Sequence, residues 1–271
     1  MTDAHAIGEI DFDRALALEP VGEGLLAASI AEGWDIRGVP HGGYLLAMLA
    51  AAAGTAVPQP HPLSVSATYL AAPTFDRAEL SVRVIRVGSR QSTVEVGLAQ
   101  DGVDKVRASV TLGTLSDAQP VHLADDADRP DAADPASYLA PQRPNGERLS
   151  LHDRVEVRLA PGTGFQTGRP TGVALLDGFM RFVNGRPPDP LALLLFSDGL
   201  PPSIFEAKGF EIGHVPTVQL TTHLFALPAD GWVRSRCRTR VQGGSFLDED
   251  ADLWDETGRL VATARQLALV R

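Results

Sequence analysis

The chain has 271 residues and a single cysteine, Cys237, and only two of its 24 basic residues, Lys105 and Lys208, are lysine. One thiol excludes an internal disulfide and every zinc site built on paired cysteines. The scarcity of lysine alongside abundant alanine reads as codon bias from a GC-rich genome and carries no functional meaning. There is no His-Glu-x-x-His, no glycine-rich phosphate loop and no Gly-x-Ser-x-Gly elbow, and the seven histidines are scattered. Zincin chemistry, P-loop chemistry and the serine route of the α/β-hydrolases therefore lack their residues. No metal and no cofactor are expected. A net charge of -10 disfavours nucleic acid and anionic membranes as partners. No apolar run reaches the roughly 20 residues of a membrane span. The N-terminus, Met1-Thr-Asp-Ala-His-Ala6, has no basic segment followed by an apolar one, so a cytoplasmic protein without membrane insertion is expected.

What is present is one pattern written twice. A wholly apolar run at 44–53 is followed by alternating stretches at 63–70, 78–87, 92–100 and 106–115; a second run at 191–196 is followed by 215–225, 232–241, 246–254 and 260–270. Each series closes on a turn between alternating runs, Asp101-Gly102 in the first and Thr257-Gly258 in the second, as antiparallel hairpins do. Residues 9–36 alternate and suggest a hairpin entering the first unit. Residues 155–159 and 178–183 supply opening strands for the second. Between them the composition turns to Asp, Ala and Pro, which buries too little to fold alone. The division expected is a first unit at 1–115, a surface linker at 116–150 and a second unit at 151–271. A helix apolar on every side must be covered all round, and a meander does so by wrapping it.

Only the second apolar run carries an acid. Asp189-Pro190 is a sound helix start, and Leu191, Leu194, Leu195 and Asp198 then share one face. Gly199 and Pro201-Pro202 interrupt the helix, leaving Asp198 near its C-terminal end, where dipole and burial both disfavour the charge. Asp198 is either a catalytic carboxylate or an acid leaning toward solvent. Gln266 shares a face with Ala262, Ala264, Ala268 and Val270, small residues that suit the inner side of a sheet on a helix. Its amide can hold a water against a carboxylate or merely satisfy a strand end. His41-Gly42-Gly43 opens the first apolar helix, where exposed N–H groups suit a developing oxyanion, although packing of the turn explains the glycines equally well. Trp34, Tyr69 and Trp232 read as core or rim aromatics.

Taken in order, His41-Gly42-Gly43 with its helix, Phe196-Ser197-Asp198, Pro216-Thr217-Val218-Gln219-Leu220 and the terminal strand ending at Gln266 resemble the type II acyl-CoA thioesterase family over nearly the whole chain. The resemblance implies an α+β double hotdog, two tandem sheets each wrapped around a long apolar helix. It also implies hydrolysis of acyl-CoA to free fatty acid and coenzyme A, with Asp198 as general base or transient nucleophile and Gln266 and Thr217 holding the water. His41, Gly42 and Gly43 are assigned to substrate. Thr217 matches if the strand is aligned from Pro216; aligned from Phe225 and Pro228 the position falls to Val218, and a one-residue slip reverses the strand's facing. Two rivals stay open. One is a hotdog hydratase or dehydratase, which wants a histidine beside the acid, and none follows Asp198 until His214. The other is a non-catalytic acyl-CoA binding protein. Open sheet edges suggest a homodimer or larger homo-oligomer.

Overall fold

The computed structural model describes residues 11–118, 131–141, 146, 149–209 and 212–270. It opens on one helical turn, α1 (Phe12–Ala15), capped by the Asp11 side chain on the Arg14 N–H, with Phe12 and Ala15 buried. The alternation at 15–18 is thus the end of a helical turn and not a strand, because a capping Asp and buried residues three apart select helix. The expected entry hairpin follows as β1 (Glu19–Gly22) against β2 (Leu25–Ser29). A second, two-residue hairpin, β3 (Asp35–Ile36) and β4 (Val39–Pro40), delivers the chain to the first long helix.

That helix, α2 (Gly42–Gly54), is covered on every side: Tyr44 to Ala50, Ala52 and Ala53 are all buried. His41 caps it, its ring accepting the Tyr44 N–H, and the Thr55 hydroxyl donates to the Ala52 carbonyl at the other end. Four strands wrap it: β5 (His61–Tyr69), β6 (Arg77–Arg86), β7 (Ser92–Gln100) and β8 (Val103–Gly113). Asp101 and Gly102 have φ of 52° and 73°, the two positive values a two-residue turn needs to match strand twist.

The second half repeats the plan. Strands β9 (Val155–Leu159) and β10 (Leu175–Phe182) flank the turn α3 (Gly164–Thr167) and precede α4 (Pro190–Phe196) and α5 (Ile204–Lys208). The meander β11 (Thr217–Leu224), β12 (Val233–Gly243), β13 (Phe246–Trp254) and β14 (Leu260–Leu269) completes it. The order along the sheet is β1-β2-β6-β7-β8-β5 in one half and β11-β14-β13-β12-β10-β9 in the other, the same sequence of strands in mirrored order. β5 and β11 pair antiparallel, from Gln219 opposite Thr68 to His223 opposite Ser64, so twelve strands form one sheet. This is the double hotdog architecture.

Of the expected linker, the stretch 131–141 is docked: Leu139 bridges to Leu159, and the Tyr138 hydroxyl donates to Asp177. Most of the rest of 116–150 lies outside the described residues.

The first turn of α2 packs against the last turn of α4 inside the sheet, and glycine makes the approach possible. A Cβ on Gly43 would lie 2.5 Å from the Leu195 carbonyl oxygen and 3.0 Å from that of Leu194. A Cβ on Gly54, at the far end of the same helix, would meet only Leu112 at 3.8 Å. Gly43→Ala is expected to destabilise by about 1–3 kcal/mol, since overpacking against backbone exceeds the gain in helix propensity. Gly54→Ala is expected to be neutral or stabilising. Urea unfolding of both variants checks the pair, and equal stability would mean that the helices can part freely.

Candidate active site

Asp198 falls just beyond α4, whose last residue is Phe196 and whose cap is Ser197, and its N–H reaches the Leu195 carbonyl at 3.3 Å. The helix starts where the sequence requires, with Asp189 accepting the Ala192 N–H at 2.7 Å and Pro190 in the first turn. Ser197 anchors the other end by donating to the Leu194 carbonyl and meeting the buried Thr222 hydroxyl at 2.9 Å. The carboxyl group that follows has nowhere to go but the space between the two helices.

There it meets the first half of the chain. The Gly43 N–H donates to Asp198 Oδ2 at 3.0 Å. His41 Nε2 lies 3.5 Å from the same oxygen and donates at 2.9 Å to the Asp198 carbonyl oxygen. Since His41 Nδ1 accepts the Tyr44 N–H, the ring proton belongs on Nε2 and both ring nitrogens are engaged. The Asp198 side chain is 14 % exposed and that of His41 5 %. Burial pushes the Asp198 carboxyl above its ordinary value, opposed by the His41 ring and then by the Gly43 N–H.

Asp198, His41, Gly42, Thr217 and Gln266 all line one cavity of about 520 Å³ whose wall is otherwise mainly apolar, including Leu45, Leu200, Phe205 and Val215. Gly43 contributes its N–H from behind the carboxylate. The N–H of Gly42, one residue nearer the helix start, has no partner among the described residues. Gln266 Nε2 donates to Thr217 Oγ1 across β11 and β14. The two registers considered for that strand are reconciled by a bulge: Thr217 pairs with Ala268 and Gln219 with Leu267, so Val218 is the extra residue. Both Thr217 and Val218 then face the cavity, while Gln219 and His223 turn to solvent.

Three features escaped sequence reasoning. Tyr69, at the end of β5, is part of the cavity wall, and its hydroxyl donates to the Gly42 carbonyl at 2.8 Å. Burial, then the Asp198 charge, holds its phenol well above its ordinary value. Glu249 on β13 stands opposite Gln266 and is buried, accepting from the Ser203 N–H, the Ser203 hydroxyl and the Thr239 hydroxyl. The third is the His41–Asp198 pair itself. Looking for a histidine only downstream of Asp198 misses the one that the fold brings from 157 positions away. Patterning gave no signal for Glu249, which sits among Asp248, Asp250 and Asp252. Trp34 is core, and the Trp232 ring is in contact with the guanidinium groups of Arg158 and Arg181.

The model of the acyl-CoA thioesterase N-terminal domain matches residues 30–113, and that of the C-terminal domain matches residues 112–270. The chain belongs to the acyl-CoA thioesterase family. An uncharacterized protein of Mycobacterium tuberculosis is 33% identical over 96% of this chain and 98% of its own. A Thermobifida fusca structure solved as a candidate thioesterase II is 30% identical with a TM-score of 0.86, covering 96% of this chain and 97% of that one. A hotdog-fold protein of unknown function from Alicyclobacillus acidocaldarius has a TM-score of 0.84 at 22% identity, with the same coverage. Among the described residues no helix is long and apolar enough to cross a membrane.

A carboxyl raised by burial binds its proton more tightly folded than unfolded. Stability therefore falls as pH rises from the unfolded value toward the folded one, and the penalty is complete above the folded value. Asp198→Asn keeps an acceptor for the Gly43 N–H and removes the charge. It is expected to melt at a higher temperature than the parent at pH 8, with the difference shrinking toward pH 4. Melting curves across that range check the sign; a lower melting temperature at pH 8 would contradict a strained carboxylate.

Proposed function

We propose that the protein hydrolyses acyl-CoA thioesters to free fatty acid and coenzyme A, with Asp198 activating the water. The observation that carries this reading is a carboxyl raised by burial on the wall of a largely apolar cavity that it shares with the Gln266–Thr217 pair. One N–H of the Gln266 amide is spent on Thr217, and the Gln266 carbonyl oxygen and the Thr217 hydroxyl proton remain for a water. That water donates to Asp198 and to Gln266 and accepts from Thr217. Its oxygen attacks the thioester carbon while its proton passes to the Asp198 carboxylate. The tetrahedral oxyanion is received at the start of α2 by the Gly42 N–H, since the Gly43 N–H is already committed to Asp198. The intermediate then expels the thiolate, which takes the proton back from Asp198, leaving acid and thiol. The acyl chain lies along the apolar wall.

A hydratase or dehydratase reading is favoured by one observation, the His41–Asp198 pair. Its histidine, however, caps α2 with one ring nitrogen and holds the Asp198 carbonyl with the other, so neither nitrogen is available to move a substrate proton. Assembly into homo-oligomers by edge pairing draws little support from the sheet edges. β1 has four residues and contains Pro20, and β9 is partly covered by the Leu139 bridge.

Thiol release from a panel of acyl-CoA substrates is the test. Asp198→Asn is expected to lower kcat by about 10²–10⁴-fold, and Gln266→Ala to lower it less. The base acts deprotonated, so kcat/KM is expected to fall on the acid side through a value higher than that of an ordinary aspartate. Full turnover in Asp198→Asn would overturn the reading, and loss of enoyl absorbance without free thiol would establish the hydratase instead.

A further inference from the structure

Among the described residues lining the cavity, Arg37 is the only lysine or arginine and Asp198 the only acid. The two sit at different depths. Asp198 is nearly enclosed, whereas Arg37 is exposed at the tip of the β3–β4 hairpin, with His152 and His214 also on the wall. The rest of the molecule repels anions, with a net charge of -10.

The hairpin is built to hold its tip still. Ile36 pairs with Val39, so Arg37 and Gly38 form a two-residue turn, with φ of 56° and 77°. Both positions require the left-handed region, where Asn, Asp or Gly is the ordinary occupant and arginine is disfavoured. The turn is tied from below by the buried Asp35, which accepts the Gly38 N–H at 2.8 Å and the Ser150 hydroxyl at 2.7 Å. A strained arginine on a fixed tip at the wall of the Asp198 cavity is a local conflict of the kind found at binding sites. Four residues lie between Arg37 and Gly42, so the two are at most about 17 Å of extended chain apart. A pantetheine arm can bridge a gap no larger than that.

We infer that Arg37 anchors a phosphate of the coenzyme A moiety at the cavity mouth, so that the pantetheine arm runs inward to the thioester. The inference rests on the acyl-CoA reading above and adds the group that selects the full coenzyme over shorter thiols. Guanidinium pairs with phosphate through a planar fork, which neither histidine on the wall can supply.

The test is calorimetric binding of coenzyme A, dephospho-coenzyme A and pantetheine to the full chain and to Arg37→Asn, a residue that suits the left-handed turn. The parent is expected to prefer coenzyme A over pantetheine, and Arg37→Asn to reduce that preference by about tenfold. A preference lost already with dephospho-coenzyme A assigns the contact to the 3′-phosphate; one retained assigns it to the pyrophosphate. An unchanged preference in Arg37→Asn overturns the assignment. Binding is read apart from turnover: Arg37-dependent binding without thiol release removes the hydrolase reading and keeps the anchor. Thiol release with an unchanged preference does the reverse, and no binding of coenzyme A together with no thiol release removes both.

Discussion

The contact on which the site depends is the approach of the first turn of α2 to the last turn of α4. Gly43 sits against the Leu195 carbonyl with no room for a side chain, and this closeness lets its N–H reach Asp198. A backbone donor at the positive end of a thirteen-residue helix thereby meets a carboxylate placed at the negative end of another. One dipole offsets part of what the other costs. The His41 cap belongs to the same arrangement, since one ring nitrogen fixes the helix start and the other holds the Asp198 main chain.

Two acids of the second half, Glu249 and Asp198, show what donors decide. Glu249 accepts three hydrogen bonds and joins β13 and β12 to the start of α5. Burial still raises its carboxyl, but its hydrogen-bonding needs are met by the fold. Asp198 accepts one and is left facing the cavity. A well-satisfied buried carboxylate rigidifies structure, and a poorly satisfied one retains a demand that a substrate water can meet. The difference lies in a handful of neighbours and not in residue type.

Hydrophobic period and turn chemistry made most of the architecture legible. Strands β7 and β13 fall at the residues where alternation places them, and α2 and α4 where apolar runs and caps do. These signals are local. The features that period cannot carry are those that depend on a neighbour distant in the chain. The bulge at Val218 admits both registers that alignment left open, because an unpaired residue resets the alternation that separated them. His41 reaches Asp198 only through packing of the two halves, so no window of sequence contains the pair. Arg37 was readable in principle, as an Arg-Gly turn between two short strands, but a two-residue strand is too brief for its period to stand out.

The pairing of β5 with β11 has a further consequence in mass-action terms. Both halves of the site ride on one covalent chain and one continuous sheet, so their encounter is unimolecular and does not weaken on dilution. A site shared between separate subunits would have an occupancy that depends on protein concentration. A symmetric pair of identical subunits would also carry the acid twice or not at all. Joining the halves in one chain lifts both constraints, and it is what allows one helix to present bare amide groups while the other presents the carboxylate they face.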